Sequence, residues 1–323
     1  MSSRALKHFR FGKIFGFIRR STSSRRQQIR QVRELYLKTD LVTKGCILCS
    51  GENFSLLAEC DRYGFDLNKQ ICDDCGLVQT YPALSQSFLN EFYENHYRKL
   101  YTKSLDVDYA KFSEEQEEKG ERFLGFLNTA ISGQSLSNFS IIEIGCSSGG
   151  ILNYLSAHCK AVQGCDLDAN AIQFARDTHS LNAEVAHFPS TIPSGPKIFI
   201  LSHVLEHVPN PKDLLHRIRS AMTPEDYAFV EVPGLNIVAD GSYSNDLRSY
   251  FHIAHVADYT ASTLASMMTS CRFETVTCDE TVTGLFKRSE NSEGEVVKSP
   301  GDSVGNVLKI EKTFRVFGSK KST

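Results

Sequence analysis

The sequence predicts an α/β fold, a mostly parallel sheet with helices on both faces, preceded by a small cysteine-knuckled module. Three observations carry that expectation. From residue 140 onward, short apolar runs of strand length alternate with helical segments, the order a parallel sheet requires. The first run, Ser140-Ile141-Ile142-Glu143-Ile144-Gly145-Cys146-Ser147-Ser148-Gly149-Gly150, passes directly into a glycine-containing turn and a helix, and the next run ends in Gly164-Cys165-Asp166. That is the opening half of a nucleotide-binding α/β unit, in which backbone must approach a ligand closely and side chains would obstruct it. Upstream, Cys46 and Cys49, and Cys72 and Cys75, form two C-x2-C pairs separated by 22 residues.

Composition sets outer bounds. A chain of 323 residues holds one full α/β domain plus a smaller one. Hydrophobic residues at 41% and charged residues at 23% are those of an ordinary globular protein, and a net charge of −2 gives no global pull toward nucleic acid or lipid. The first 33 residues depart from that balance, with ten Lys or Arg and no acid. In this leader Phe11, Ile14, Phe15 and Ile18 fall at one-face helical spacing among Arg4, Lys7, Arg10, Lys13, Arg19 and Arg20. A helix of that kind suits peripheral contact with an anionic membrane surface, and the same composition suits a targeting segment. No apolar run reaches spanning length, and a cytoplasmic location is expected. Ten cysteines in a chain this long point to metal binding and reduced thiols rather than a disulfide scaffold.

Five regions follow: a basic leader (1–40), a zinc-binding module (41–84), a helical cap or linker (85–135), the main α/β domain (136–288) and a flexible tail with a short amphipathic segment (289–323). In the module, each C-x2-C pair can direct two thiolates at one ion, and two such knuckles complete a closed tetrahedral Zn²⁺ site of structural type. Gly51 and Gly76, just past the pairs, allow turns whose backbone N–H groups point at sulfur. Asp61, Asp66, Asp73 and Asp74 leave no basic stripe, which disfavours nucleic acid as the module's partner. Residues 85–131 read as two helices, with aromatic stripes Phe88, Phe92, Tyr93, Tyr97 and Phe112, Phe123, Phe126 facing the core.

The main domain begins with a strand at 140–145 and a helix near Gly149. A second strand at 161–166 leads into a helix N-capped by Asp168. Further strands are expected at 183–186 and 197–202, a helix at 211–222 behind Asn210-Pro211, and a strand at 227–232. A helix near 260–270 and a strand pair at 273–278 and 282–287 bring the sheet to seven strands.

In open α/β sheets ligands bind beyond the carboxyl ends of the strands, so the polar groups just past each strand carry the information. Glu143, on the first strand before the turn, would repel a pyrophosphate and favour a cationic sulfonium or amino group. Asp166, about 20 residues on, is placed to accept hydrogen bonds from ribose hydroxyls. The pattern E-x-G-x-S-x-G resembles the first motif of class I S-adenosylmethionine (SAM) methyltransferases, although the family usually has glycine where Ser147 stands. Ser202-His203-Val204-Leu205-Glu206-His207-Val208-Pro209-Asn210-Pro211 resembles the family's H-V-L-E-H-x-x-D-P run, with Asn210 in the Asp position. The cysteine module, C-x2-C followed by C-D-D-C-G-L-V-Q-T-Y-P, resembles the zinc head in front of some bacterial methyltransferases that act on sugars, polysaccharides and related metabolites.

The resemblance implies a Rossmann-like seven-stranded sheet and SAM lined by Glu143, Gly145, Cys146, Gly149, Asp166 and His203. It implies a structural zinc on Cys46, Cys49, Cys72 and Cys75, and a small-molecule or saccharide acceptor. Glu206, His207 and His255 are the candidate catalytic residues. In the sugar C-methyltransferases with a similar head, a His in the 250–256 region acts as base, and His255 is the better positional match within Tyr250-Phe251-His252-Ile253-Ala254-His255-Val256. Residues 92–98 are expected to help cover the cofactor. Ala186-His187-Phe188-Pro189 lacks the family's adenine-side acid, which leaves backbone and Phe188 stacking for the adenine. The alternatives are a non-catalytic binding or scaffold protein on the same fold, a nucleic-acid methyltransferase, which would often show an N-P-P-Y run after the fourth strand, and a dinucleotide oxidoreductase, which would lack Glu143.

Overall fold

The computed structural model describes residues 23–101, 107–131, 133–238, 240, 242–245 and 247–290. Residues 1–22 of the expected leader and 291–323 of the expected tail lie outside the described residues. Helix α1 (Ser23–Tyr36) precedes five short strands, β1 (Leu41–Val42), β2 (Phe54–Ala58), β3 (Lys69–Cys72), β4 (Val78–Thr80) and β5 (Ala83–Leu84). Three helices follow, α2 (Gln86–Asn95), α3 (Tyr97–Tyr101) and α4 (Tyr109–Ala130). Three helices stand where two were expected, because α2 ends at His96, whose N–H closes on Phe92, and α3 starts again at once.

The main domain is built from β6 (Ser140–Ile144), α5 (Gly150–Ser156), β7 (Ala161–Asp166), α6 (Ala169–His179), β8 (Ala183–Val185), β9 (Lys197–Ser202), α7 (Pro211–Ala221), β10 (Tyr227–Glu231), α8 (Leu247–Tyr250), β11 (Ala257–Asp258), α9 (Ala261–Ser270), β12 (Phe273–Cys278) and β13 (Thr283–Arg288). Seven of these strands form one sheet in the order β12-β13-β10-β9-β6-β7-β8, in which β13 runs antiparallel to its neighbours β10 and β12. The α/β expectation, the seven strands and the mostly parallel pairing are all met.

Strand burial explains why these runs are apolar throughout. All five residues of β6 and of β10 are buried, as in a sheet covered on both faces. Alternate residues divide between two cores. Ile142, Ile144, Phe199, Leu201 and Val230 face one, while Ile141, Ile198, Ile200 and Phe229 face the other, packed under Phe123 and Leu127 of α4. Asp168 caps α6 through the backbone N–H groups of Asn170 and Ala171, as expected. Asn210 does not cap α7 with its side chain; the helix starts on Pro211, whose missing N–H needs no partner there.

The cysteine module is joined to the main domain at two levels. Cys46, Leu48, Cys72, Cys75 and Leu77 belong to the same core as Phe199, Val230 and Tyr259. In addition, β11 pairs antiparallel with β4, Ala257 opposite Gln79 and Asp258 opposite Val78, which makes β11-β4-β3-β2 one sheet. A segment near residue 257 therefore becomes an edge strand of the module. On the module's other side, Ile29 and Val32 of α1 pack with Tyr63, Phe65 and Leu67.

Candidate active site

The site lies where the strand order reverses. β6 is flanked by β9 on one side and β7 on the other; the chain runs on from β6 to β7 and from β9 to β10, so it leaves the carboxyl ends of these two neighbours in opposite directions, the place where open sheets bind ligands. The turn after β6 has the geometry its glycines suggest. Gly145 (φ +79°) and Gly149 (φ +80°) are left-handed, and a Cβ on them would come within 2.5 Å of Val204 and 2.4 Å of Leu181. Ser147, which replaces the usual glycine, also takes a left-handed φ of +50°, a conformation that L-residues adopt at a cost of about 1 kcal/mol. Gln116 of α4 anchors the turn, its Oε1 accepting from Ser148 Oγ at 3.0 Å and Gly150 N at 3.3 Å.

Glu143 is fully buried, and neither carboxylate oxygen has a hydrogen-bond partner. Burial, reinforced by Asp166, pushes its carboxyl up to about 8. Cys146, buried beside it, has its thiol pushed up by burial and by Glu143, which makes it a packing residue rather than a nucleophile. Asp166 ends β7 and accepts from Ser147 N at 2.9 Å and from Asp168 N at 2.8 Å. These bonds fix its rotamer at the rim and leave further lone pairs for a ligand hydroxyl.

The helical segment before the sheet spans both halves of the site. Arg98 places Nε 2.5 Å from Asp168 and one guanidinium nitrogen 4.0 Å from Asp166. One residue earlier, Tyr97 brings its hydroxyl 3.4 Å from His207 Nε2, and Tyr93 donates to the Ala254 carbonyl at 2.9 Å. Phe188 lies 6.4 Å from Phe199, stacked, with the Arg217 guanidinium over its ring at 4.6 Å, so packing already engages it.

Beyond β9, His203 takes a left-handed φ of +54° and bridges two carboxylates, Glu206 at 3.4 Å and Glu231 at 3.3 Å. Burial lowers its pKa but the two acids outweigh that, so the net shift is upward and the imidazolium is favoured. Glu231 is also held by Arg122 and by Thr283 Oγ1. Burial works to raise both acids; His207 and His203 around Glu206, and His203 and Arg122 around Glu231, nonetheless hold each near 2.

Glu206, His207 and His255 converge, with donor and acceptor atoms all within 4.8 Å of one another. His207 Nδ1 faces the Ala254 carbonyl at 2.9 Å and its Nε2 lies 3.5 Å from Glu206. The buried His255 ring faces Asp258 through Nδ1 at 3.1 Å. Burial drives His255 down to about 4 despite that acid, so its imidazole is neutral at physiological pH. His252 is driven down more strongly, by burial and by His255.

The four cysteines meet as well. Cys46 and Cys75 sulfurs lie 3.5 Å apart, and so do those of Cys49 and Cys72. A tetrahedral ion with Zn–S of about 2.3 Å requires sulfur–sulfur edges of about 3.8 Å, which this cluster meets with small relaxation. Hydrogen bonding to Cys46 and Cys75 draws the Cys72 thiol well down, toward the thiolate a metal needs. Gly51 N points at Cys49 Sγ at 3.4 Å as expected, whereas Gly76 N turns to the Cys72 carbonyl.

The structure thus brings Glu143, Gly145, Cys146, Gly149 and Asp166 around one turn, and His203, Glu206, His207 and His255 into one cluster after β9. Sequence reasoning did not single out Gln116, Glu231, Arg122, Lys69 or Asp258. Tyr97 and Arg98 were reached only through the 92–98 stretch expected to cover the cofactor, with Tyr97 also in an aromatic stripe.

A family model described as a methyltransferase domain matches residues 95–277, more than half of the chain. The ubiquinone biosynthesis O-methyltransferase of Cupriavidus pinatubonensis is 31% identical over 114 residues, covering 32% of this chain and 45% of that protein. The match therefore spans less than half of the curated relative. Among solved structures, the plantazolicin methyltransferase BpumL, in complex with a monoazolic desmethylPZN analogue and SAH, is 15% identical, covering 70% of this chain and 88% of that one, with a TM-score of 0.44. An S-adenosylmethionine-dependent methyltransferase from Clostridium acetobutylicum is 11% identical, covering 57% of this chain and 93% of that one, with a TM-score of 0.38. Because this family model matches more than half of its length, the chain belongs to the methyltransferase-domain family.

Proposed function

We propose that this protein transfers a methyl group from SAM to a small-molecule or saccharide acceptor. The observation that carries this reading is Glu143. A buried carboxylate with no hydrogen-bond donor is costly, and a cofactor ammonium group would supply both charge and donors at that point. The left-handed glycines beside it keep the turn tight against Val204 and Leu181, and Asp166 supplies an acceptor for ribose hydroxyls. Bound SAM supplies a methyl group on a sulfonium, an already activated leaving group. The chain's own residues then need only orient the acceptor and take its proton. His255, neutral and held by Asp258, is the base we assign. Glu206, ionised beside it, favours the imidazolium once His255 is protonated. Burial and Glu206 keep the Tyr97 hydroxyl protonated, so it acts as a donor to the acceptor side.

Calorimetric titration of S-adenosylhomocysteine into the zinc-loaded protein tests this reading. We expect binding by the wild type and a loss of at least about tenfold in Asp166→Ala, the scale of a lost charge-assisted hydrogen bond. A folded wild type that fails to bind would favour a scaffold role on the same fold. After binding, labelled SAM with sugar-nucleotide and polysaccharide acceptors identifies the substrate.

The leader supports a further reading, peripheral contact with an anionic membrane surface. No helix among the described residues is long and apolar enough to cross a membrane, while α1 exposes Arg26 and Arg30 beside the basic, aromatic stretch before it. Deleting residues 2–22 removes six Lys or Arg residues, so at about 1 kcal/mol each the partition coefficient onto phosphatidylserine vesicles, read by co-sedimentation, should fall by more than about a hundredfold. Equal sedimentation of the two proteins would exclude the leader as the contact.

A further inference from the structure

We infer that Lys69, a residue of the cysteine module, is a positioning residue that fixes which nitrogen of His255 carries the proton. The inference rests on the assignment of His255 as the acceptor-side base. Lys69 opens β3, the strand that ends three residues later in Cys72, and its side chain is fully buried. Its Nζ donates to Asp258 Oδ2 at 2.7 Å and to the His255 carbonyl at 2.6 Å. The other Asp258 oxygen faces His255 Nδ1 at 3.1 Å. Thr80 Oγ1, on β4, donates to the same His255 carbonyl at 3.0 Å. Two module residues therefore hold the backbone of His255, and one of them holds its ring through Asp258.

The chemistry follows from donors and acceptors. Lys has only donors, and an ionised carboxylate has only acceptors. With Lys69 on one oxygen, Asp258 stays ionised in the interior, since burial that would raise its pKa is outweighed by Lys69 and His255. An acceptor-only partner requires Nδ1–H on His255 and leaves Nε2 with a free lone pair, on the ring that packs 5.1 Å from His207 and close to Glu206. A buried ion pair contributes little net stability, because desolvation offsets attraction, so stability alone gives weak reason for this one. Fixing a tautomer at a base is a use that an apolar pair would not serve.

Groups facing His255 from each packed element are Lys69 on β3, His207 and Glu206 after β9, and Tyr250, His252 and Asp258 on its own segment. If Lys69 is removed by Lys69→Met, Asp258 either takes a proton and donates it to Nδ1, or His255 becomes imidazolium as its counter-charge. In both cases Nε2 gains a proton. Asp258→Asn, which preserves size, acts by another route: Lys69 claims the amide oxygen, the amide NH2 faces Nδ1, and the proton moves to Nε2.

The test is long-range nitrogen-15 correlation of the imidazoles in histidine-labelled protein at pH 7, with His255 assigned by its loss in His255→Gln. The expected result is an unprotonated Nε2 in the wild type and a protonated Nε2 in both Lys69→Met and Asp258→Asn. An unprotonated Nε2 in a folded variant, or a protonated one in the wild type, overturns the inference. If Lys69→Met does not fold, Asp258→Asn decides alone. S-adenosylhomocysteine binding, measured on the same samples, should change less than about threefold, since neither residue adjoins the β6 turn. A wild type that binds no S-adenosylhomocysteine would sink the methyltransferase reading, while the nitrogen spectra would still decide the role of Lys69.

Discussion

Cys72→Ser should abolish stoichiometric zinc and lower the thermal midpoint by more than about 10 °C, the largest single effect expected in this chain. Structural zinc sites contribute roughly 10–16 kcal/mol of binding free energy in isolated finger peptides. Even half of that, roughly 5–8 kcal/mol, corresponds at about 2–4 °C per kcal/mol to a shift of roughly 10 °C or more. The effect should not stay within the module. Cys72, Cys75, Cys46 and Leu48 share a core with Phe199 and Val230, and Lys212 Nζ donates to the Leu48 carbonyl at 2.7 Å. Through the pairing of β4 with β11, the same loss loosens the segment that carries His255. The β6 turn is held independently, by Gln116 and by packing against Leu181 and Val204. Elemental analysis should therefore give one zinc per wild-type chain and none in the variant, with residual S-adenosylhomocysteine binding below the new midpoint. A wild type purified from zinc-containing medium without zinc, or an unchanged midpoint in Cys72→Ser, would exclude the site.

What could be read in advance depended on how local the cause was. β6, its turn and Asp166 follow from a contiguous run in which apolar residues, glycines and an acid sit at fixed offsets. The cysteine pairs follow from spacing alone. The ends of the helices were less legible, because an N-cap depends on rotamer choice: the Asp168 side chain bonds to α6, whereas at α7 Asn210 contributes only its backbone carbonyl. The support behind the site was invisible for a different reason. Lys69 and Asp258 are 189 positions apart, and Arg122 and Glu231 are 109 apart. Each looks like an ordinary solvated charge until the sheet order brings the partners together. Even the contact between the module and the segment that carries His255 depends on β11 joining β4, a pairing that two residues with no periodic signature could not announce.

Glu143→Gln should weaken S-adenosylhomocysteine binding by at least about tenfold and change the way stability depends on pH. The carboxyl of Glu143 is raised from 4.5 to about 8, first by burial and then by Asp166. A raised acid means that the folded state binds its proton more tightly than the unfolded state. Stability is therefore greatest below the unfolded pKa, falls as pH rises through the window from 4.5 to about 8, and carries the full penalty above it. Glutamine keeps the shape and removes that penalty, so the ligand-free variant should be more stable than the wild type above pH 8, by an amount on the order of a few kcal/mol. Ligand binding should run the other way. A cofactor ammonium group needs the ionised carboxylate, so near pH 7 the wild type must release up to one proton on binding, and its affinity should rise with pH up to about 8. Calorimetry in two buffers of different ionisation heat reads that proton directly, and Glu143→Gln should show none. Equal affinity and equal proton release in the two proteins would remove Glu143 from the cofactor site. Weaker binding without a change in proton release would mean that Glu143 supports the turn and does not meet the ammonium group. The predicted combination, a variant that folds more firmly at alkaline pH and binds its ligand less well, is what distinguishes a carboxylate kept for a cationic ligand from one that merely packs.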